Sequence, residues 1–350
     1  MQKEITIYDL ARVLNLSPAT ISRGLRKSSV INQKTIQRIL DKAEEMGYRH
    51  NNFASNLRNK RTKTLGIIVP RLNSYFMTSV VAGMEDVASK EGYNLIISQS
   101  LEKKELEKSN ANTMFNKRID GLLISLAYTT TDIAHLQPFF EKQIPVVFFD
   151  RSFPGVESVS VTIDNRQAAY KATTHLIEQG CKKIMHLTGN LNRDIYENRL
   201  KGYKQALLEH AIPFNEGLVQ TSTLNEQDGV NTAKTILAMN PADRPDAVFC
   251  ANDISAVHCM VHLKQQGISI PEDIAFVGFN NDAVSRMVEP NLTTIDYPGH
   301  KIGEVAVSCL LHLLNGDERV KNTDQIIIHS SLLVRGSSLK KRCNERLLLL

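Results

Sequence analysis

Hydrophobic and polar residues recur with two different periods along the chain, and the change of period divides the chain into two parts. Residues 1–49 contain three short stretches with the spacing of amphipathic helices and almost no strand character. From Leu65 onward, short apolar runs alternate with amphipathic helical stretches, which is the pattern of parallel strands connected by helices. The sequence therefore predicts a small three-helix unit followed by a larger α/β domain.

The three predicted helices have clear start signals. Thr6 can cap the first helix with Asp9 three residues later, and Ser17 can cap the second with Pro18 at its first position. The third helix is predicted from Asn32 to about Met46. The residues predicted to face the core are Ile7, Leu10, Ala11 and Leu14 in the first helix and Ile36, Ile39, Leu40 and Ala43 in the third.

The apolar runs after Leu65 predict two parallel sheets. The first set is LGIIVP (65–70), NLIIS (94–98), GLLIS (121–125) and PVVFF (145–149). The second set is KIMHL (183–187), LVQTS (218–222), DAVFC (246–250) and IAFVGF (274–279). The segment from Val159 to Asp164 is predicted to cross from one lobe to the other. Two doubly wound sheets joined by crossovers imply a cleft between lobes, where ligands usually bind.

The expected boundaries follow from these patterns. A helix from Pro298 to Leu314 and the strand IIIHSSLLV are interpreted as late returns to each lobe. The expected segments are a helical unit at 1–49, a linker at 50–61, a two-lobed domain at 62–340 and a tail at 341–350. Within that domain, the N-lobe is expected at about 62–162 and 291–323, and the C-lobe at about 163–290 and 324–340.

The positive charge of the chain is concentrated at its start. The net charge is +5 over 350 residues, but residues 1–61 hold 12 Lys and Arg against 5 Asp and Glu, a net of +7. No acidic residue occurs between Asp9 and Asp41 or between Glu45 and Glu85. Both stretches could approach a phosphate backbone without repulsion, although a merely solvated basic face is the alternative.

Several other classes of protein find little support. Five scattered cysteines without a CxxC pair predict reduced thiols, and the absence of a signal peptide or a long apolar run predicts a cytoplasmic protein. No GxGxxG, Walker loop, HExxH or GxSxG motif occurs, so an enzyme is not expected and no cofactor is assigned. His258 and His262 lie four apart with Cys259 between them, but a packed or surface helix explains them better than a metal site.

The second predicted helix, SPATISRGLR, has the features of a DNA-reading helix. In a helix-turn-helix, the start of the second helix meets base edges in the major groove. Arg23 is placed for two hydrogen bonds to guanine, while Pro18 and Ala19 offer only shape and apolar contact. The residues better suited to phosphate are Ser17, Thr20, Ser22 and Arg26. A plain helical hairpin with an incidental arginine remains the alternative.

The first segment, ITIYDLARVLNLSPATISRGLRKSSVINQKTIQRILDKAEEMGY, resembles the headpiece of the lactose-repressor (LacI/GalR) family. The resemblance continues through NSYF (73–76), FD (149–150), NRLKGY (198–203), AND (251–253), VGFN (277–280), PNLTTI (290–295) and VRGSS (334–338). It implies a periplasmic-binding-protein-like domain of two parallel-sheet lobes, and it adds Tyr8 and Asn32 to the expected DNA contacts. Gly24 replaces a usual larger residue and should loosen the end of the second helix.

The same resemblance implies a hinge helix after the headpiece. HNNFASNLRNKR (50–61) matches that element, which places Leu57 as a minor-groove wedge and Arg58 at the neighbouring contact. His50 stands where many relatives have proline, so the start of the hinge should be less rigid. Without the resemblance, this segment reads equally well as a basic linker.

The resemblance also implies an effector site between the lobes. Tyr75 and Phe76 would form an aromatic wall, and Asp150 and Asn252 would be polar anchors. Arg193 and Arg199 would be cationic hydrogen-bond donors. Leu224 occupies the position where the family usually has a bulky side chain. This mixture suits a sugar, although other polar ligands fit it and any of these side chains could be purely structural. Asn280 stands where the family commonly has aspartate, which makes a sugar acid more plausible than in most relatives.

The combined expectation is a homodimeric transcription regulator that acts as a repressor and binds double-stranded operator DNA under the control of a small-molecule effector. A sugar-binding protein for transport would share the two lobes, but it should carry a signal peptide and lack the headpiece. A metabolic enzyme of open α/β fold is the third class, and a nucleobase or other polar metabolite is the alternative effector. The sequence does not decide whether the effector releases or promotes DNA binding.

Overall fold

The computed structural model describes residues 5–48 and 61–340. The contacts between its Cα atoms divide the chain into two compact units, residues 1–62 and 63–350. The first unit is helical, and the second contains two six-stranded sheets with helices.

The first unit contains three helices, and the predicted start signals are confirmed. Its helices are α1 (Ile7–Leu14), α2 (Pro18–Leu25) and α3 (Gln33–Glu45). Thr6 and Asp9 form a reciprocal capping box at α1, since each side chain accepts a hydrogen bond from the backbone N–H of the other residue. Ser17 caps α2, which has Pro18 at its first position.

The three helices enclose a small apolar core. Leu10, Ile21 and Ile39 are fully buried, whereas Leu40, which was predicted to face the core, is only half-buried. A Cβ on Gly24 would lie 2.4 Å from Ile39 Cδ1, so α2 and α3 approach closely at this glycine. The missing side chain of Gly24 therefore permits close helix packing, in addition to the lower helix propensity expected from the sequence.

The second unit contains two sheets of six strands. The first sheet has the order β11-β5-β4-β3-β1-β2, and the second has the order β12-β10-β9-β8-β6-β7. The strands are β1 (Thr64–Val69), β2 (Asn94–Gln99), β3 (Gly121–Ile124), β4 (Val146–Phe149), β5 (Ser160–Ile163), β6 (Ile184–Thr188), β7 (Val219–Thr221), β8 (Ala247–Cys250), β9 (Ala275–Asn280), β10 (Thr293–Asp296), β11 (Gln325–Ile328) and β12 (Ser331–Leu333).

Parallel pairing dominates both sheets. All pairs of the first sheet are parallel, and in the second only β12 runs antiparallel, beside β10. Every residue of β3, β4 and β8 is buried. This burial explains why these strands read as continuous apolar runs rather than as alternating ones.

Two late strands lie in the opposite lobes from those predicted. β10 lies within the range 291–323 expected in the N-lobe, but it pairs with β9 in the second sheet. β11 lies within the range 324–340 expected in the C-lobe, but it pairs with β5 in the first sheet. The segment from Val159 to Asp164, expected only to cross, contains β5 itself. The residues of a short strand do not reveal which sheet that strand joins.

Nine α-helices of the described chain connect these strands: α4 (Tyr75–Lys90), α5 (Lys104–Asn116), α6 (Gln137–Glu141), α7 (Asn165–Glu178), α8 (Asp194–Glu209), α9 (Glu226–Ala238), α10 (Asp253–Gln265), α11 (Gly299–Leu314) and α12 (Glu318–Lys321). Glycines allow α4 and α11 to cross closely. A Cβ on Gly83 would lie 2.0 Å from the His300 carbonyl oxygen, and one on Gly303 would lie 2.0 Å from the Val80 carbonyl oxygen. No larger residue fits at this crossing without moving a helix backbone.

The described cysteines Cys181, Cys250, Cys259 and Cys309 are buried free thiols, and burial raises the pKa of each. Cys343 lies outside the described residues. Among the helices in residues 5–48 and 61–340, none combines the length and apolar character needed to cross a membrane.

Candidate functional site

The start of α2 presents an exposed surface in the first unit. Ser17 Oγ accepts the Thr20 N–H at 3.1 Å, and the two hydroxyl oxygens lie 2.9 Å apart. Pro18, Ala19 and Arg23 are exposed, whereas Ile21 and Gly24 are buried. One face of α2 therefore packs on the core, and the other offers Arg23 to solvent.

Arg26 and Asn32 have partners within the headpiece. Arg26 Nε donates to the Ser22 carbonyl oxygen at 3.1 Å, and its Nη2 donates to Ser22 Oγ at 2.9 Å. Asn32 caps α3, with its Oδ1 accepting the Lys34 N–H at 2.9 Å. Tyr8 lies on α1 and is 67% exposed. Leu57 and Arg58, the predicted hinge contacts, lie outside the described residues.

A cavity of about 130 Å³ lies between the two lobes of the second unit. The residues that line it are Pro70, Arg71, Ser74, Phe76, Met77, Glu102, Tyr128, Asp150, Arg151, Ile195, Tyr196, Arg199, Thr223, Leu224, Ala251, Asn252 and Asn280. Pro70 and Asp150 directly follow strands of the first sheet, and Ala251 follows a strand of the second. The carboxyl ends of both sheets therefore meet at this cavity, which is the usual ligand position in open α/β folds.

Asp150 is a buried carboxylate in the cavity wall. It is 5% exposed and has a left-handed backbone conformation, with φ at 59°. Tyr297 Oη donates to its Oδ1 at 3.1 Å, and Ser125 Oγ donates to its Oδ2 at 3.4 Å. Burial raises the pKa of Asp150, and the positive charges of Arg151 and Arg199 partly oppose this shift.

Arg199 brings a buried guanidinium to the same cavity. It is 2% exposed; its Nε donates to Asn165 Oδ1 at 2.9 Å and its Nη1 to the Ala251 carbonyl oxygen at 2.7 Å. Its Cζ lies 3.6 Å from the centroid of the Phe279 ring, a cation–π contact. Burial lowers the pKa of Arg199, although the nearby tyrosines and Asp150 oppose the shift.

Three further predicted residues line the second-lobe side of the cavity. Asn252 caps α10 by accepting the Ser255 N–H at 3.0 Å, and its Nδ2 donates to the Leu224 carbonyl oxygen at 2.7 Å. Leu224 and Asn280 both have positive φ, at 58° and 109°. Such backbone conformations are uncommon outside glycine and often accompany binding sites.

Tyr75 and Arg193, which were predicted effector contacts, are not among the cavity-lining residues. Tyr75 is 52% exposed, because consecutive helical side chains point about 100° apart and its neighbour Phe76 faces the cavity. Arg193 precedes α8 and donates from Nη2 to the Thr130 carbonyl oxygen of the other lobe. Arg199 is therefore the one of these two arginines that lines the cavity.

A cluster that was not predicted from the sequence also lines the cavity. Arg151 Nη1 donates to Glu102 Oε2 at 2.9 Å, and its Cζ lies 4.3 Å from the Tyr128 ring centroid. Tyr128 Oη and Tyr196 Oη lie 2.9 Å apart. Burial is the largest cause that raises the pKa of Tyr128. The position of Arg151 directly after Asp150 could have indicated it, but no sequence signal pairs tyrosines 68 residues apart.

No group of three or more His, Cys, Asp or Glu residues suited to a metal ion occurs in the part of the chain that the structure describes. His258 Nδ1 lies 2.9 Å from the carbonyl oxygen of Ile254 in its own helix, α10.

Together, these features define a class of protein: a regulator with a helix-turn-helix and a periplasmic-binding-protein-like ligand domain. A family model described as "Bacterial regulatory proteins, lacI family" matches residues 6–51, and one described as "Periplasmic binding protein-like domain" matches residues 173–338. The chain belongs to the LacI family of DNA-binding transcription regulators.

Relatives of known name match over most of their length. Catabolite control protein A of Priestia megaterium is 31% identical over 312 residues, which are 89% of this chain and 93% of that protein. The ribose operon repressor of Haemophilus influenzae is 31% identical over 322 residues, covering 91% and 93%. The solved lac repressor dimer, bound to operator and the anti-inducer ONPF, has a TM-score of 0.85 at 23% identity over 96% of this chain and 100% of that one. This last likeness concerns the fold.

Proposed function

We propose that this chain is a repressor whose affinity for operator DNA is controlled by a small polar effector bound between the lobes. The effector class that we propose is a sugar or sugar derivative. The observation that carries the proposal is the cavity in which buried Asp150 and Arg199 meet from opposite lobes. Fixed polar groups beside aromatic rings suit the hydroxyls and the ring faces of a sugar. A regulator of this kind works in the cytoplasm, where its operator is.

For DNA recognition, we propose that Arg23 reads a base edge. Its exposure on the solvent face of α2 supports this role. Ser17, Thr20, Ser22 and Arg26 would contact phosphates and fix the register, with Tyr8 and Asn32 beside them. Pro18 and Ala19 would supply shape, and Leu57 and Arg58 would enter the minor groove from the hinge.

We further propose that the regulator acts as a homodimer on a near-palindromic operator. Exposed apolar side chains on the N-lobe, Leu72, Tyr75, Ile97 and Leu101, support a subunit interface there. Leu72 and Ile97 belong to neighbouring segments, since the Leu72 N–H donates to Gln99 Oε1 at 3.2 Å. On the C-lobe, Met287 is 80% exposed and Val261 is 41% exposed. Apolar surface of this kind usually marks an interaction site.

The charges around the cavity bear on the choice between a sugar and a sugar acid. Arg71, Arg151 and Arg199 face Glu102 and Asp150, but Arg151 is already paired with Glu102. Arg71 is exposed to solvent, Asp150 opposes the charge of Arg199, and Arg193 does not line the cavity, so we favour a neutral sugar over its acid. The name of the ribose operon repressor, a relative at 31% identity, supports a sugar.

The effector would act by shifting a population. Bonds between the lobes, such as Ser152 Oγ to Asp194 Oδ2 at 2.6 Å, exist only when the cleft is closed. A ligand that binds the closed form more tightly favours it, and moving from nearly all of one form to nearly all of the other needs about 5 kcal/mol of differential binding. That shift would change the separation of the DNA-binding elements in a dimer.

Two measurements test the proposal. A mobility-shift titration with the DNA upstream of its own gene should show a specific complex, and failure to bind any duplex at low salt would refute DNA binding. A thermal-shift screen of neutral sugars, sugar acids and nucleobases should find a sugar that raises the unfolding temperature. A shift from nucleobases alone would reassign the effector, and a clear preference for the acid form would overturn the choice of a neutral sugar.

A further inference from the structure

The start of α8 in the C-lobe is bonded directly to the N-lobe. Asp194 Oδ2 accepts the Ser152 hydroxyl at 2.6 Å and the Ser152 backbone N–H at 3.2 Å. Arg193, which directly precedes α8, donates from Nη2 to the Thr130 carbonyl oxygen. Thr130 and Ser152 lie in the loops that follow β3 and β4 of the first sheet, so both contacts span the cleft.

A third bond joins the same two regions, because Asn190 Nδ2 donates to the Tyr128 carbonyl oxygen at 3.3 Å. In the described chain the crossovers between the lobes follow β5, β10 and β11, and none of them lies in these loops. The loops meet only because the lobes are closed. The residues that make these contacts are called the interlobe latch below: Tyr128, Thr130 and Ser152 in the N-lobe, and Asn190, Arg193 and Asp194 in the C-lobe.

The N-lobe half of the interlobe latch is held in place within its own lobe. Glu107 is fully buried, and its two carboxylate oxygens accept the Ala127 N–H at 2.7 Å and the Thr130 hydroxyl at 2.9 Å. Glu102 Oε2 accepts the Tyr128 N–H at 2.9 Å. The two carbonyl oxygens of the latch are therefore positioned by bonds that closing does not create, so closing orders little new structure there.

Closing the interlobe latch buries the Arg193 guanidinium, and the residue is 4% exposed. Burial lowers the pKa of Arg193, and the negative charges of Asp194 and Glu107 oppose that shift. Removing the guanidinium from water costs free energy, and Glu107 of the other lobe offsets part of this cost only while the lobes are closed. The latch therefore favours closing without making it irreversible.

The interlobe latch is separate from the contacts proposed for the effector. Of its six residues only Tyr128 lines the cavity, and Tyr128 takes part in the latch through its backbone carbonyl oxygen. We propose that the interlobe latch closes the lobes without touching the effector and so sets the fraction of ligand-free chain that is already closed. Arg193, expected from the sequence to contact the effector, is then a positioning residue for closing.

This inference rests on the function proposed above and adds how its site is regulated. When a ligand binds only the closed form, its apparent affinity is reduced in proportion to the fraction of chain that is closed. Residues outside the cavity would thus set the effector concentration to which the repressor responds.

The distance between the lobes of the ligand-free chain tests the interlobe latch directly. Spin labels on Ser109→Cys in α5 and Lys234→Cys in α9, two exposed positions on different lobes, report this distance by pulsed electron paramagnetic resonance. Because the described native cysteines are buried, Cys343→Ser leaves the introduced pair as the sites for labelling. The labelled chain is diluted with unlabelled chain, so that only distances within one chain are measured.

Asp194→Ala should raise the ratio of open to closed chain at least about tenfold, because two hydrogen bonds to a carboxylate are lost. The dissociation constant is then measured for whichever of ribose, glucose and galactose raises the unfolding temperature of the unchanged protein. It should increase in proportion to the loss of closed chain. Should Asp194→Ala unfold, Ser152→Ala removes the hydroxyl from the other side and keeps the N–H, so it should open the lobes to a smaller extent.

Asp228→Ala is the matched control for the distance measurement. Asp228 Oδ2 accepts the Thr223 hydroxyl at 2.7 Å and the Thr223 N–H at 3.0 Å, and Asp228 also lies in the first turn of its helix, α9. Both residues belong to the C-lobe, so the same pair of bonds is lost without any contact across the cleft. The distance between the lobes should not change.

Each outcome decides the question. If Asp194→Ala keeps the lobe distance of the unchanged chain, or if Asp228→Ala opens the lobes equally, the interlobe latch is overturned. If the lobes open but the affinity for the sugar stays the same, closing does not control the effector site and the proposal also fails. If the lobes of Asp194→Ala alone open and none of the three sugars binds, the sugar effector loses its support while the latch stands.

Discussion

The guanidinium carbon of Arg199 lies 3.6 Å from the centroid of the Phe279 ring, and the arginine is 98% removed from solvent while bonded only to neutral oxygens. A charge held in this way, without a carboxylate bonded to it, keeps part of its binding capacity for a ligand. This arrangement explains why Arg199 is the centre of the proposed effector site.

Arg199→Met should abolish the effector response. Methionine keeps an apolar chain over Phe279 but removes the donors, so the ligand that raises the unfolding temperature of the unchanged protein should no longer do so. The ligand-free unfolding temperature should change by only a few degrees, because loss of two hydrogen bonds is offset by removal of a buried charge. Thermal unfolding with and without ligand measures both quantities.

Arg166→Met is the matched control for this substitution. Arg166 also donates to an amide oxygen, Gln205 Oε1 at 3.0 Å, but it is exposed and does not line the cavity. It should retain the full ligand response. An undiminished response in Arg199→Met would remove Arg199 from the site.

His186 should make the protein less stable in mild acid. Its ring stacks between Tyr203 and Phe249, at centroid distances of 5.2 and 4.6 Å, and burial lowers its pKa to about 4. In the unfolded chain the histidine has its ordinary pKa of about 6.5. Between pH 4 and pH 6.5 the unfolded chain therefore binds a proton that the folded chain does not bind. The stability from neutral His186 is thus fully present above about pH 6.5, and up to about 3 kcal/mol is lost as the pH falls to about 4.

Urea unfolding from pH 4.5 to 7.5 measures this effect. His186 Nδ1 lies 3.0 Å from the Phe249 carbonyl oxygen and donates to it, so His186→Asn keeps a donor near that position and removes the titration. Its unfolding free energy should depend less steeply on pH. His210→Asn is the control, because His210 makes the same kind of bond, to the Ala206 carbonyl oxygen at 2.8 Å, on an exposed ring. Equal pH slopes in all three proteins would contradict the prediction.

Gly303→Ala should destabilise the N-lobe. The added Cβ would meet the Val80 carbonyl oxygen at 2.0 Å and the Met84 nitrogen at 2.8 Å, both backbone atoms that cannot rotate away. Overpacking of this kind costs about 1–3 kcal/mol, and more where helices must separate. Gly217→Ala, whose Cβ would meet only Asn215 Oδ1 at 3.2 Å, should change the unfolding free energy little. Urea unfolding of the two variants should therefore differ clearly, and similar losses would refute the close crossing.

The helical core of the headpiece was accessible from sequence, because capping and helical period are local properties. The start of α1 is marked by Thr6 with Asp9, and the start of α2 by Ser17 with Pro18. The structure confirms both starts. The eight apolar runs predicted as strands likewise form strands, because most of them are buried and buried parallel strands are continuously apolar.

Long-range placement was not accessible in the same way. Tyr128 and Tyr196 meet only because two lobes fold towards each other, and Arg193 reaches a carbonyl 63 residues away. The assignment of β10 and β11 to sheets depends on which strands they pair with, and a run of four residues leaves no trace of that pairing in the sequence. The sequence could not show which of Tyr75 and Phe76 lines the cavity, because both are aromatic residues suited to a ligand site. Only the orientation of the helix decides it.

Arg23 in α2 and Arg26, which caps its end, should behave differently on DNA. Arg23→Ala should weaken operator binding by about 1–3 kcal/mol and leave non-specific binding nearly unchanged, because a base contact is lost. Arg26→Ala should weaken both kinds of binding, because a phosphate contact is lost. The slope of log affinity against log salt concentration should fall by about one, which corresponds to one ion fewer released on binding. Mobility shifts at several salt concentrations measure both effects. Identical behaviour of the two variants would contradict the assigned roles.

The most direct test of a ligand-controlled repressor is operator affinity measured with and without the sugar that stabilises the protein most. At one salt concentration, fluorescence anisotropy with labelled operator should show that saturating sugar changes the dissociation constant at least about tenfold, the scale of a typical coupling free energy. Arg199→Met should bind operator with one affinity under both conditions. If the sugar binds the unchanged protein but leaves its operator affinity the same, the cavity does not control DNA binding and the proposed function is contradicted.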